Sequence, residues 1–289
     1  MIPITGHTQL TALLGSPVAH SISPMMHNEA FHLLGLDYVY LCFDVNEERL
    51  PAAVEGLKAC GIRGFNLTMP NKNKIVSLLD GLSPAAKLIG AVNTVVNDNG
   101  RLIGYNTDGV GYMQSVRDAG YDIAGQAITV MGAGGAATAI CAQAALDQVK
   151  KIHIFARKTS RFWERTARLV ENINSTLPCQ AVLHENGDAT ALASALSESA
   201  LLVNATSVGM APNVEDTIIR DTSLYHRDLI VSDVIYNPRE TRFLKEARLA
   251  GCRTFNGMYM LLYQGAEAFR LWTGRNMPVE EVKAKYFSA

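Results

Sequence analysis

Apolar positions along the chain follow two periods. In LTALLGSP, YVYLCFDV and GFNLTMP they form short runs closed by Gly, Pro or acidic residues, the pattern of strands and turns. Between these runs, apolar residues recur three or four positions apart. SPMMHNEAFHLLGL does so at Met25, Met26, Ala30, Phe31 and Leu34. This predicts a helix with Ser23 as N-cap and Pro24 at the first helical position. RLPAAVEGLKACGI predicts a second helix ending at Gly61, and another is expected from about Lys72. Strand–helix alternation of this kind implies parallel sheets with helical crossovers. NTVVNDNGRLIGYNTD departs from it: two β-rich runs surround NDNG, a hairpin signal. A helix is expected to start in DGVGYMQSVRDAGY.

In GQAITVMGAGGAATAICAQAAL a strand, 127–131, runs into Gly132, Ala133, Gly134, Gly135, Ala136 and Ala137, and then into an alanine-rich helix. KKIHIFAR, ALLVNAT, DLIVSDVIY and CRTFNG follow at intervals that fit a doubly wound sheet. The last long helix, YMLLYQGAEAFRLWTG, carries Leu261, Leu262, Ala266, Phe269 and Trp272 at helical spacing. The expected fold class is therefore α/β with two domains. A mostly parallel α/β domain spans 1–105 and is completed by C-terminal helices in 259–289. A Rossmann-type, doubly wound dinucleotide-binding domain spans 106–258.

Composition narrows the classes. A length of 289 residues with 48% hydrophobic content is enough for two buried cores. A net charge of −1 argues against nucleic acid or an acidic membrane as partner. No apolar stretch reaches the ~18 residues that span a bilayer. MIPITGHTQL lacks the basic-then-apolar pattern of a signal peptide. The cysteines at 42, 60, 141, 179 and 252 are scattered, without C-x-x-C spacing, as in a reduced cytoplasmic protein. His20, His27 and His32 lie close in sequence but in no metal-binding pattern, so no metal is expected. Both monomer and homodimer fit these properties.

The glycine segment carries the clearest chemistry. Gly132 permits a tight turn, Gly134 lets backbone approach a pyrophosphate, and Ala137 lets helix pack closely on strand. The helix N-terminus then offers free N–H groups to phosphate. An NAD site usually has an acidic residue about 20 positions further on, for the ribose. That place reads IFARKTSR, with Arg157, Lys158 and Arg161 and no carboxylate. Basic groups there suit a 2′-phosphate, or they are solvated charges at a helix start. NADP is favoured, with NAD as the alternative. Elsewhere, Ser21 and Ser23 precede a helix and could bind a carboxylate, or Ser23 could simply cap it. NLTMPNK, GAVNT and GYNTDG place Asn66, Thr68, Lys72, Asn93, Asn106, Thr107 and Asp108 at the ends of apolar runs. Ligands of parallel α/β sheets bind outside strand carboxyl ends, so a small, oxygen-rich substrate is implied. Read alone, Lys72 and Lys74 are equivalent.

The ordered set SISPMMHN, NLTMPNK, GAVNT, GYNTDG, GAGGA, NATSVGM, DVIYNP and MLLYQG resembles the shikimate dehydrogenase family over nearly the whole chain. MPNK and PAAKLIGAVNTVVND look most like its quinate/shikimate branch. The resemblance implies an NAD(P)-dependent dehydrogenase interconverting shikimate and 3-dehydroshikimate, with quinate and 3-dehydroquinate as a second pair. It assigns Ser21 and Ser23 to the substrate carboxylate. Asn66, Thr68, Asn93 and Gln264 go to the rest of the substrate, and Lys72 (general acid/base) and Asp108 to catalysis. It assigns Gly132, Ala133, Gly134, Gly135 and Ala136 to the pyrophosphate, and Ala156, Arg157, Lys158 and Thr159 to the adenosine ribose. Ser207, Tyr236 and Gly257 complete the cofactor site. Three positions differ from the family's branches. Ala156-Arg157-Lys158-Thr159 stands where shikimate-specific members usually have Asn-Arg-Thr. The acidic residue of the quinate/shikimate branch near Thr159 is missing, and Ser207 occupies a place where that branch can carry lysine. Two alternatives stand beside this reading: an NAD-preferring quinate dehydrogenase, and a ligand-sensing paralogue without turnover.

Overall fold

Residues 3–287 are described by a computed structural model, in which the chain divides into two units, Met1–Gly111 with Leu262–Ala289, and Tyr112–Leu261. The first unit begins with β1 (Gln9–Gly15), α1 (Ser23–Leu33), β2 (Tyr38–Asp44), α2 (Leu50–Ala59) and β3 (Gly64–Leu67). It continues with β4 (Gly81–Leu82), α3 (Pro84–Ile89), β5 (Thr94–Asp98), β6 (Arg101–Tyr105) and the start of α4 (Asp108–Asp118). The sheet order is β2-β1-β3-β5-β6-β4. It is parallel except at β5, which runs against both neighbours. The hairpin expected at NDNG joins β5 to β6. Asn99 (φ 51°) and Gly100 (φ 89°) both take positive φ there, as a tight turn between twisted strands requires.

Two local expectations change. Ser23 is the first helical residue of α1 rather than its cap. Ile22 holds the cap position, and the Ser21 hydroxyl accepts from the Ser23 N–H at 3.2 Å. The buried stripe of α1 is Met26, His27, Ala30 and Phe31, whereas Met25 is 52% exposed. The helix expected from Lys72 is a 3₁₀ turn, Lys74–Leu78. In an α-helix the Lys72 carbonyl would accept from the Val76 N–H. Instead it accepts from Val92 N–H (2.8 Å), and Val76 N–H turns to the Asn73 carbonyl (3.3 Å). The Asn71 side chain is buried and donates to the Val45 carbonyl (2.7 Å), anchoring the same turn.

The second unit holds β7 (Ala127–Met131), α5 (Gly135–Leu146), β8 (Lys151–Ala156), α6 (Trp163–Thr176) and β9 (Gln180–Glu185). After them come α7 (Ala189–Glu198), β10 (Ser199–Asn204), β11 (Ile230–Asp233), α8 (Arg242–Leu249) and β12 (Arg253–Phe255). All strands are parallel, in the order β12-β11-β10-β7-β8-β9. This is the doubly wound Rossmann arrangement, with its switch point between β7 and β10. The alanines of α5 are almost all buried, so the helix lies close on the sheet.

The chain returns to the first unit within α9 (Met258–Thr273), followed by α10 (Val279–Tyr286). The buried face of α9 is Leu262, Tyr263, Gly265, Ala268, Phe269 and Trp272. Leu261 and Ala266 of the expected stripe are only half-buried. Trp272 donates its indole N–H to the Val95 carbonyl (3.0 Å) in space left by Gly64, where a Cβ would collide with the ring. No described helix is long and apolar enough to cross a membrane, and all five cysteines are free thiols.

Candidate functional site

In the first unit, polar side chains converge on one edge of the sheet. β3 and β6 end there and the antiparallel β5 begins there, with Asn66 paired to Thr94 and Thr94 to Tyr105. Asn93 therefore precedes a strand, contrary to the expectation that it follows one, yet reaches the same edge. The Asn66 amide donates to the Asn93 carbonyl (3.1 Å) and Thr94 Oγ1 (2.9 Å). Its Oδ1 accepts from the Tyr40 phenol (2.8 Å). Asn93 Nδ2 donates to Thr107 Oγ1 (2.9 Å) and to Asp108 Oδ1 (2.8 Å), while its Oδ1 accepts from the Thr107 N–H (2.7 Å). Asp108 opens α4, where its charge is favoured by the helix N-terminus. Asn106 Oδ1 accepts from the Asp108 N–H (3.2 Å). The second carboxylate oxygen, Oδ2, accepts from Lys72 Nζ at 2.5 Å.

That carboxylate is held on one oxygen by an amide and on the other by an ammonium. The pair is half-enclosed, with the Lys72 side chain 30% and the Asp108 side chain 15% exposed. Lys74 is exposed. Ser21 and Ser23 flank the start of α1. Ser21 lies near the Cys42 thiol and Ser23 near the Tyr40 phenol, close enough for each hydroxyl to influence its neighbour's ionisation. Burial pushes Tyr40 well above the ordinary phenol range, Cys42 adds to this, and Ser23 opposes it. Thr68 follows β3, and its N–H donates to the Leu14 carbonyl (3.1 Å). Gln264 is half-buried on α9, beside Gly265, whose missing Cβ makes room for Met26 of α1. Tyr40 and Thr94, absent from the residues expected from the sequence, belong to the same cluster. The alternation in YVYLCFDV, which puts Tyr38, Tyr40 and Cys42 on one face of β2, is the signal for Tyr40.

The second unit contains a cavity of about 1170 Å³ at the carboxyl ends of its strands. Its floor is the turn between β7 and α5. Gly132 has φ 122°, and a Cβ there would lie 2.8 Å from the Ala205 carbonyl oxygen. Gly134 is the N-cap of α5 and supplies no side-chain cap, so the first-turn N–H groups are left for another acceptor. A Cβ on Gly134 or Gly135 would meet no protein atom within 4 Å. Both glycines line the cavity, so bare backbone and uncapped N–H groups form a cradle that fits a pyrophosphate. Ala133, Ala136, Ala156, Arg157, Thr159, Ser207 and Tyr236 also line it.

Two expected residues do not line the cavity. Lys158 lies in the turn after β8 with its side chain exposed. Gly257 is buried behind the wall, where a Cβ would collide with the Val234 backbone, and its N–H donates to the Ile235 carbonyl (3.2 Å). Gly257 thus backs the segment that carries Tyr236. Arg161 does line the cavity, its guanidinium 4.7 Å from the centre of the Phe162 ring, which lines it too. Asn186 also contributes. It follows β9, a strand not expected from the sequence, so no signal singled it out. Among the described residues, no carboxylate lines the cavity.

Known proteins resemble this chain in sequence and in fold. Residues 13–95 match the shikimate dehydrogenase substrate binding domain, and residues 257–285 the shikimate 5′-dehydrogenase C-terminal domain. A Listeria monocytogenes protein named shikimate dehydrogenase (NADP(+)) is 51% identical over 98% of this chain and 97% of its own. An Escherichia coli quinate/shikimate dehydrogenase is 43% identical over 97% of each chain. The crystal structure of a Listeria monocytogenes shikimate 5-dehydrogenase in complex with shikimate and NAD superposes with a TM-score of 0.95. It is 52% identical and covers 97% of both chains.

Proposed function

Because the chain belongs to the shikimate dehydrogenase family, we propose that it interconverts shikimate and 3-dehydroshikimate, with a nicotinamide dinucleotide supplying or taking up the hydride. The observation that carries this reading is the Lys72–Asp108 pair at the polar edge of the first sheet. Lys72 holds a proton on Nζ, the atom from which a forming alkoxide would take it. In the oxidative direction the same nitrogen, as the free amine, receives it from the alcohol. Asp108 fixes where that ammonium points, with one oxygen accepting from Lys72 and the other from Asn93. Asn93 holds Asp108 in turn. Ser21 and Ser23, at the start of α1, take the substrate carboxylate. Thr68, Gln264 and the Asn66–Asn93 network lie toward its ring hydroxyls.

The dinucleotide would be held by Gly132, Gly134, Gly135 and the N-terminus of α5 at its pyrophosphate. Arg157 and Arg161 line the cavity where no carboxylate is present to accept from a ribose 2′-hydroxyl. NADP is therefore the preferred form, through charge-assisted bonds to its 2′-phosphate. The scattered free thiols suit a cytoplasmic location.

The test is a two-by-two kinetic matrix of shikimate and quinate against NADP and NAD. The highest kcat/KM is expected for shikimate with NADP. A higher value for quinate with NAD would make the chain a quinate dehydrogenase, the activity that the Escherichia coli relative's name joins to that on shikimate. No absorbance change at 340 nm with any pair, despite binding by calorimetry, would leave a ligand-sensing protein.

A further inference from the structure

The motifs NATSVGM and DVIYNP begin with Asn204 and Asp233, neither of which has a part in the proton transfer. The structure sets them side by side as the last paired residues of β10 and β11, each with 0% exposure. A buried carboxylate is costly unless its oxygens are satisfied. Asp233 Oδ1 accepts from the Ile235 N–H (2.9 Å), Oδ2 from the Thr241 hydroxyl (2.7 Å), and both lie 3.2 Å from Asn204 Nδ2. Asn204 carries the network on. Its Nδ2 donates to the Val208 carbonyl (3.1 Å), and its Oδ1 accepts from the N–H (3.1 Å) and hydroxyl (2.7 Å) of Thr206. The Thr206 hydroxyl accepts from the Val208 N–H (3.1 Å).

The segments tied in this way, 205–208 and 234–237, form one wall of the cavity. They are loops that leave the sheet at Ala205 and Val234, whose N–H groups still donate to the Met131 (2.9 Å) and Asn204 (3.0 Å) carbonyls. Beyond those bonds and the one from Gly257 N–H to the Ile235 carbonyl, the course of 206–208 and the stretch around Ile235 is tied by these side-chain bonds. We propose that Asp233, through Asn204 and Thr241, is a positioning residue that holds both loops in the conformation that binds the dinucleotide. The inference rests on the functional reading above. Asp233 itself does not line the cavity. It acts by setting where Thr206, Val208, Ile235 and Tyr236 stand.

The experiment uses the full-length protein. Asp233→Asn turns an acceptor into a donor that faces the Asn204 amide and the Thr241 hydroxyl. The dissociation constant for NADP, measured by calorimetry, is expected to rise at least tenfold. KM for NADP should rise with it, while kcat and the KM for shikimate stay within threefold. Without ligand, amide exchange at Thr206, Val208 and Ile235 should quicken at least tenfold, and exchange in β7 should not change. Thr241→Val is expected to shift both readouts in the same direction and serves if Asp233→Asn does not fold. Thr241→Ser keeps the donor and should restore wild-type values. Unchanged exchange at the three amides in either folded variant overturns the proposal, as does quickened exchange with unchanged NADP affinity. A wild-type chain that bound neither NADP nor NAD would defeat the functional reading instead. The exchange comparison would still decide whether Asp233 holds the loops.

Discussion

At the scale of single residues, Lys72 and Lys74 share a chemistry and differ in surroundings. Lys72 is held by its backbone bond to Val92 and finds Asp108, whereas Lys74 faces water. Removing a positioned acid–base group commonly costs ~10²–10⁴ in rate. Lys72→Ala is thus expected to lose at least a hundredfold in turnover with NADP affinity unchanged, measured by steady-state kinetics and calorimetry. A loss below tenfold would move the proton donor elsewhere. Asn93 is 2% exposed, and its amide protons are engaged by Thr107 and Asp108. Its substitution by Ala should lower kcat through a freed Asp108. Sequence motifs marked Asn93 and Asp108 separately. The NDNG hairpin signal makes β5 and β6 antiparallel neighbours, but only the fold shows that the side chains flanking the open end of that hairpin bond to each other.

At the scale of elements, the turn from β7 into α5 shows how a glycine can matter for binding and not for folding. Nothing in the protein lies within 4 Å of a Cβ added to Gly134, but that Cβ would stand in the cradle. Gly134→Ala should leave the unfolding midpoint within a degree or so of wild type, at about the scale of an unstrained Gly-to-Ala change. NADP affinity should drop at least tenfold. Intact binding would show that the phosphate does not approach this backbone. The turn after β8 gives a second prediction. Replacing Arg157 and Arg161 together by Ala should raise KM for NADP at least tenfold and leave KM for NAD nearly unchanged, whereas Lys158→Ala should do neither. Equal losses for both dinucleotides would mean that the arginines do not read the 2′-phosphate. The strand–turn–helix element itself was legible because its signal is local. The 3₁₀ turn at Lys74–Leu78 was not, since Val92, distant in sequence, takes the carbonyl that an α-helix needs.

At the scale of the whole molecule, the two units respond to acid in opposite senses through their buried titratable groups. His27 in the first unit is fully buried, stacked on Tyr40 (centroids 4.5 Å apart), and burial lowers its pKa from 6.5 to about 3. A depressed pKa contributes stability that is complete above about pH 6.5 and is lost as pH falls toward 3, in total roughly 5 kcal/mol. Asp233 in the second unit is raised from 3.8 to about 6 by burial, against the opposing bonds from Ile235, Thr241 and Asn204. Its contribution is complete below about pH 4 and is lost as pH rises through 6, roughly 3 kcal/mol. Native-state hydrogen exchange, corrected for its intrinsic pH dependence, can read each unit separately between pH 4 and 6.5. Relative to wild type, His27→Phe should flatten the rise of first-unit stability with pH. Asp233→Asn should remove a fall in the second. Parallel curves for variant and wild type would show that the group does not titrate differently on folding. Most strands and helices, the Rossmann segment and the family were determined by the sequence alone, because periodicity, turn residues and glycine spacing act between near neighbours. The family motifs already singled out Lys72 and Asp108, but only the tertiary structure shows Asp108 bonded to Lys72 Nζ and to Asn93, and Arg161 rather than Lys158 lining the cavity. It alone put Asn204 beside Asp233. Each of these depends on which strands lie next to each other and on which way a side chain leaves its turn, and both are set by packing between residues distant in the chain.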